Sequence, residues 1–174
     1  MKKYIISLAF ALLVCGCSQP MLTINDGNGM PCVKVNLHRN DSYMYYKTVT
    51  GGDFKIELTG FSSYCSYNPV SNVNKAVVEP LFKVTKMDKN SENHVDFQFY
   101  TETKKGPPAY IGKWYHSANL KLAKGAISQH FKGNITEIRV PTENAEDFQI
   151  DLGLVLSTKQ KEFNKKTFDV IEKN

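Results

Sequence analysis

Residues 148–156 read FQIDLGLVL. Phe148, Ile150, Leu152, Leu154 and Leu156 recur at every second position, which is the side-chain period of a β-strand. One face of this stretch is continuously apolar. Shorter runs repeat the pattern. Val33, Val35 and Leu37 alternate with Lys34 and Asn36, and Phe54, Ile56 and Leu58 with Lys55 and Glu57. Phe82 and Val84 flank Lys83, and Val95, Phe97 and Phe99 enclose Asp96 and Gln98. Leu120 and Leu122 flank Lys121, and Ile138 and Val140 flank Arg139. Such runs cover one face of a sheet and leave the other wet, as antiparallel packing requires.

The breaks between runs carry turn chemistry. They are Gly51-Gly52, DKNSEN at 88–93, KKGPP at 104–108, KGN at 132–134 and TENAED at 142–147. Glycine supplies positive φ, proline presets φ, and Asn and Asp bond their own backbone. The Gly106-Pro107-Pro108 turn is expected to join a strand ending near Thr103 to one running from Tyr110 to Tyr115. Short strands with such turns predict a mainly β fold, an antiparallel β-sandwich of Ig-like architecture. A small β-barrel is the alternative. The antibody-type Cys…Trp…Cys order is absent, because Trp114 follows both Cys32 and Cys65.

One helix is expected, within 158–171. Ser157 and Gln160 have the spacing of a capping box. Phe163, Thr167, Val170 and Ile171 then form a narrow stripe predicted to dock on the sandwich.

The N-terminus reads differently. Lys2 and Lys3 precede an 11-residue apolar run, Tyr4–Val14. This is the layout of an export signal, and it is too short for a bilayer span of roughly 20 apolar residues. The run ends in Val14-Cys15-Gly16-Cys17, which resembles the lipobox of bacterial lipoprotein precursors. The resemblance implies cleavage after Gly16, so that residues 1–16 are a signal peptide and Cys15 is discarded. It implies that Cys17 is the lipidated first mature residue, held in the bilayer by its acyl chains. Ser18 in place of Asp implies passage to the outer membrane, with the domain facing the periplasm. LTGFSSYC at 58–65 and DLGLVLS at 151–157 also resemble uncharacterised Gram-negative lipoproteins, a likeness that brings no activity with it.

Residues 17–31 then form a lipidated tether, rich in Gly, Pro and Asn. Residues 18–31 could extend about 50 Å at most. Residues 32–174 are left as a single domain. Removing Lys2 and Lys3 lowers the formal net charge from +5 to +3, too mild for a nucleic-acid interface. Cys32 and Cys65 remain as an even pair in an exported chain, and an oxidising compartment favours their disulfide.

Little in the sequence points to catalysis. His38, His94, His116 and His130 share no metal-binding spacing, and no nucleophile elbow, phosphate loop or dinucleotide fingerprint occurs. No catalytic residue, metal or cofactor is expected. Aromatic residues are the notable excess. PPAYIGKWYHS, at 107–117, gathers Tyr110, Trp114 and Tyr115. Two readings compete. Trp114 is expected to be the core tryptophan of the sandwich; alternatively Tyr110, Trp114 and Tyr115 form a partner-binding patch near the turn. The function expected is that of a membrane-anchored envelope lipoprotein, a structural or protein-binding module that contacts another envelope protein. Exposed aromatics or an unpaired sheet edge would supply the contact. The alternative is a periplasmic ligand-binding lipoprotein or enzyme with a site built from loops.

Overall fold

The computed structural model describes residues 32–48, 51–68, 70–106, 109–141 and 145–171, apart from the side chains of 109, 110, 141 and 166–171. The expected signal segment (1–16), the lipobox-like stretch and the expected tether (17–31) lie outside the described residues.

The chain forms two sheets and a C-terminal helix. The strands are β1 (Lys34–Leu37), β2 (Tyr43–Lys47), β3 (Asp53–Asn68), β4 (Val73–Lys86), β5 (His94–Lys105), β6 (Ala109–Lys121), β7 (Ser128–Lys132), β8 (Thr136–Pro141) and β9 (Phe148–Leu154). Helix α1 spans Thr158–Ile171. One sheet is ordered β1-β9-β5-β6. The other is ordered β2-β3-β4-β7, with β8 also on β4. β7 pairs with residues 81–85 of β4 and β8 with residues 73–78, so two short strands share one long edge.

The strand that anchored the sequence reading is central to the first sheet. Phe148, Ile150, Leu152 and Leu154 are all buried, and Leu156 packs beyond the strand end. β9 pairs antiparallel with β5 and parallel with β1. The parallel pair departs from the all-antiparallel expectation. It joins the first strand to the last, so its crossover connection is the rest of the domain. The core between the sheets centres on Phe82, whose ring meets Phe97 at 5.1 Å and Phe99 at 5.3 Å. Ile56, Val84, Val95 and Leu152 complete its centre, each 1% exposed or less.

Cys32 and Cys65 form a disulfide with their Cα atoms 5.9 Å apart, inside the range such bridges need. It ties the approach to β1 in one sheet to β3 in the other. Closing that loop stabilises the fold by about 3–4 kcal/mol in the chain-entropy model.

The helix begins where the capping pattern puts it. Ser157 Oγ accepts from the Gln160 backbone N–H at 3.3 Å. The reciprocal half of the box is replaced. Gln160 Oε1 instead accepts the Tyr45 N–H at 3.2 Å, and its Nε2 donates to Asn164 Oδ1 at 2.9 Å. The expected apolar stripe is not how the helix docks at its first turns. Phe163 is half exposed, its ring 6.0 Å from that of Tyr45, whereas Asn164 is wholly buried. Asn164 Nδ2 donates to the carbonyls of Asn40 (2.8 Å) and Tyr43 (2.7 Å). The amides of α1 thus occupy the outer edge of β2, where another strand would otherwise bond.

Candidate functional site

The β5–β6 hairpin forms where the Gly-Pro-Pro turn predicted it. Gly106 takes φ +45°, and its N–H donates to the Asp147 carbonyl at 2.8 Å. Thr103 pairs with Gly112 and Lys104 with Tyr110, which leaves Ile111 as a bulge residue. The bulge breaks the period-two alternation, by which Tyr110 and Trp114 would share one face. The Tyr110 side chain lies outside those described. Beyond the bulge the register is regular to Lys121.

Trp114 is not the core tryptophan. It shares the inward side of β6 with His116, Ala118 and Leu120, yet is 45% exposed while Ala118 and Leu120 are buried. Phe82, Phe97 and Phe99 fill the aromatic core, and Trp114 sits on the outermost strand, at the rim. Its indole lies back along the strand over Gly112: a Cβ there would meet Trp114 Cη2 at 2.9 Å. Tyr115, on the opposite face, is 61% exposed, and Ile111 is also exposed. Two of the three residues expected in a partner patch are thus exposed neighbours.

His116 separates the rim from the core. Its Nε2 lies 2.9 Å from Thr101 Oγ1, and its ring stacks on Phe99 at 4.9 Å. Burial holds its pKa below the usual histidine value, so the ring is neutral at pH 7. From Trp114 to Leu120 the strand therefore carries no charge.

Hydrogen-bond direction fixes which backbone groups of β6 face out. The Leu122 N–H donates to Asn93 O, and the Val155 N–H donates to Gln98 O. Odd residues of β5 therefore bond β6, and even ones face β9. By antiparallel pairing, even residues of β6 bond β5. The N–H and C=O of Lys113, Tyr115, Ser117, Asn119 and Lys121 point away from the sheet. No strand covers that side among the described residues. The other outer strands are short: β1 has 4 residues, β2 and β7 have 5, and β8 has 6, against 13 in β6. Short or covered edges are how proteins avoid unwanted strand pairing; β6 is neither.

A groove of about 580 Å³ opens near the far end of the same strand. Met44 and Tyr46 of β2, Phe97 and Gln98 of β5, Ala118 of β6 and Val155 line it, with the Asp96 carboxylate as its one acid.

The outer face of the β9 sheet holds a polar cluster that sequence spacing did not reveal. Tyr100 is 2% exposed and donates to Asp41 Oδ2 at 2.6 Å. His38 Nδ1 and Lys161 Nζ each approach the same oxygen at 3.5 Å. Lys113 Nζ lies 3.4 Å from the centre of the Tyr100 ring. Burial, then the bond to Asp41, raises the Tyr100 pKa far above the usual phenol value, so the hydroxyl stays a donor. Beneath the ring is Gly153, where a Cβ would lie 2.6 Å from Tyr100 Cζ. Nearby, Lys104 Nζ donates to Asp151 Oδ2 at 2.8 Å and Gln149 Nε2 to Oδ1 at 2.6 Å. Burial pushes the Asp151 pKa up, but these bonds outweigh it and leave the pKa below the usual range. The bond to Asp151 raises that of Lys104.

This cluster locks the Arg39–Asp41 turn and α1 onto the sheet. Its one sequence signal is Gly153 inside a strand pattern, a mark of close approach by another group. The remaining histidines stand apart: His94 bonds Asn119 at 2.7 Å, and His130 is exposed on β7. No three His, Cys, Asp or Glu side chains converge to hold a metal among the described residues. No protein-family model matches the chain, and no curated protein or solved structure matches it significantly.

Proposed function

We propose that the protein is a lipid-anchored module of the bacterial envelope that binds another envelope protein through the outer rim of β6. The observation that carries this reading is the rim itself. A 13-residue outer strand has no strand on one side among the described residues, is uncharged from Trp114 to Leu120, and carries exposed Ile111, Trp114 and Tyr115. Exposed apolar groups beside unused backbone donors are the features interfaces use.

The anchor reading rests on Lys2, Lys3, the apolar run and Val14-Cys15-Gly16-Cys17. The Cys32–Cys65 bridge fits an oxidising compartment. Acyl chains on Cys17 contribute about 0.8 kcal/mol per buried CH₂, and two or more chains make attachment stable. The tether keeps the domain within about 50 Å of the membrane, where its partner is then sought.

Cys17→Ser tests the anchor. The variant should leave the membrane fraction; retention there at mature size overturns this part. A photo-crosslinking residue at Tyr115 tests the rim. It should link one membrane protein that the same residue at Glu57, on β3, does not. Equal yields from both positions overturn the binding reading. A ligand-binding role would instead use the groove, and its signature is a small molecule that stabilises the domain and is lost in Phe97→Asp.

A further inference from the structure

We infer that β6 takes an extended segment of its partner as an added strand, and that this segment carries acidic residues flanking an apolar stretch. The inference rests on the reading of this rim as protein-binding and specifies how the rim binds. Three observations support it.

The first is geometric. The outward backbone groups of Lys113, Tyr115, Ser117, Asn119 and Lys121 form a regular row about 30 Å long. The bulge at Ile111 ends it on one side. An added strand bonds this row with no rearrangement of the sandwich.

The second is chemical. Trp114 on one face and Tyr115 on the other flank the row, so an added strand finds an aromatic surface beside each of its own faces. Alternate side chains of that strand would pack on Trp114 and the intervening ones on Tyr115. Apolar residues suit both.

The third is electrostatic, and it chooses the occupant. From Ala109 to Lys121 the strand has two lysines and no acid. A second copy of this chain fits badly. Antiparallel overlap of the two outward rows, Lys113–Lys121 of each copy, sets Lys113 of each against Lys121 of the other, and like charges opposed in this way are unfavourable. Lysines on an edge are a device against self-pairing. Lys121 attracts a carboxylate at one end of such a segment, and Lys113, whose ammonium stands over the Tyr100 ring, adds positive charge at the other.

The β2 edge shows that this chain can close an edge when it does so from within. There the α1 amides of Gln160 and Asn164 take the bonds a strand would make. At β6 no described segment does.

The test uses a nine-residue probe of alternating valine and threonine with a glutamate at each end, displayed on a soluble carrier. The protein is the mature chain with Cys17→Ser. Adding the probe should slow hydrogen exchange at the amides of Tyr115, Ser117 and Asn119 at least 10-fold. The amides of His116 and Ala118 already bond β5 and should not change. The sole tryptophan, Trp114, should shift its emission to the blue. Ser117→Pro removes one outward N–H without touching the β5 ladder, because proline is tolerated at such edge positions. It should abolish the slowing while melting normally.

Absence of slowing at those three amides overturns strand addition, as does slowing confined to β5 or β2. Equal binding of a probe ending in lysines overturns the acidic partner. The broader reading fails separately. If Ser117→Pro still crosslinks its membrane partner from position 115 while Trp114→Ser does not, the rim binds protein but not by strand addition. If neither substitution changes crosslinking, both fail.

Discussion

Two edges of this sandwich meet solvent in opposite ways. The β2 edge lies under α1, and its outward groups at Tyr43 and Tyr45 are bonded by Asn164 and Gln160. The β6 edge is more than twice as long and has no strand paired beyond it among the described residues. The same contrast recurs in two aromatic–glycine pairs. Tyr100 lies over Gly153 and is sealed by Asp41; Trp114 lies over Gly112 and stays half exposed. One side of the domain is finished by its own chain. The other presents surface among the described residues, and the binding proposed for β6 rests on that asymmetry.

The largest effects should come from opening the finished side. Asn164→Ala removes the side-chain amide that donates to the part-buried carbonyls of Asn40 and Tyr43. Each orphaned group costs about 1–3 kcal/mol, so a loss of about 3 kcal/mol is expected in urea denaturation. Exchange at the Tyr45 amide should also accelerate. If stability is unchanged, the helix does not seal this edge.

The glycine pairs separate the two sides next. In Gly153→Ala the new methyl collides with a Tyr100 ring that is held by Asp41 and cannot swing away. Strain of this kind costs about 1–3 kcal/mol. Gly112→Ala meets Trp114 at a similar distance, but that ring has solvent to move into. It should change stability by no more than about 0.5 kcal/mol. Equal losses from both substitutions would erase the distinction between the sides.

Acid should probe the two sides in different windows. The folded pKa of His116 is depressed, so the unfolded chain binds its proton first as pH falls. Stability contributed by neutral His116 is complete above about pH 6.5 and declines below it, until the folded ring also protonates. Asp151 also has a depressed folded pKa, but as a carboxylate. Its contribution is present above about pH 4 and is lost as pH falls through the folded value. His116→Gln should flatten the upper window alone and Asp151→Asn the lower alone, in melting temperatures measured from pH 8 to pH 3.

The sequence made some of this legible, for reasons that are local. Alternation in FQIDLGLVL, the β5–β6 hairpin at Gly106 and the Ser157 cap depend on near neighbours, and each reappears in the fold. Cys32 and Cys65 are legible as a pair because they are the two cysteines outside the lipobox-like stretch, and they are bridged. The rest depends on residues far apart. Asp41, Tyr100 and Lys161 meet only because the turn after β1 and the C-terminal helix fold over the same sheet. Asn164 looks like an ordinary polar helix residue, yet its buried amide docks the helix while Phe163 stays half exposed. Alternation puts Trp114 on the inward face, but it does not say whether the opposing sheet extends far enough to cover it, and at 45% exposure the indole is not covered. The Ile111 bulge is likewise invisible to a period-two count.

The smallest expected effect is on Trp114, and it separates the two readings of that residue. A core tryptophan cut to a small side chain costs about 3–5 kcal/mol. An indole lying over Gly112 at an uncovered rim loses little packing when removed, so Trp114→Ser should cost less than about 1 kcal/mol. The same substitution should abolish crosslinking of the partner from position 115. A small stability change with lost binding is what a residue kept for contact would show. A loss of several kcal/mol in the isolated domain would mean that the indole is covered in solution. The contrast between a sealed β2 edge and an open β6 rim would then fail at the residue on which it most depends.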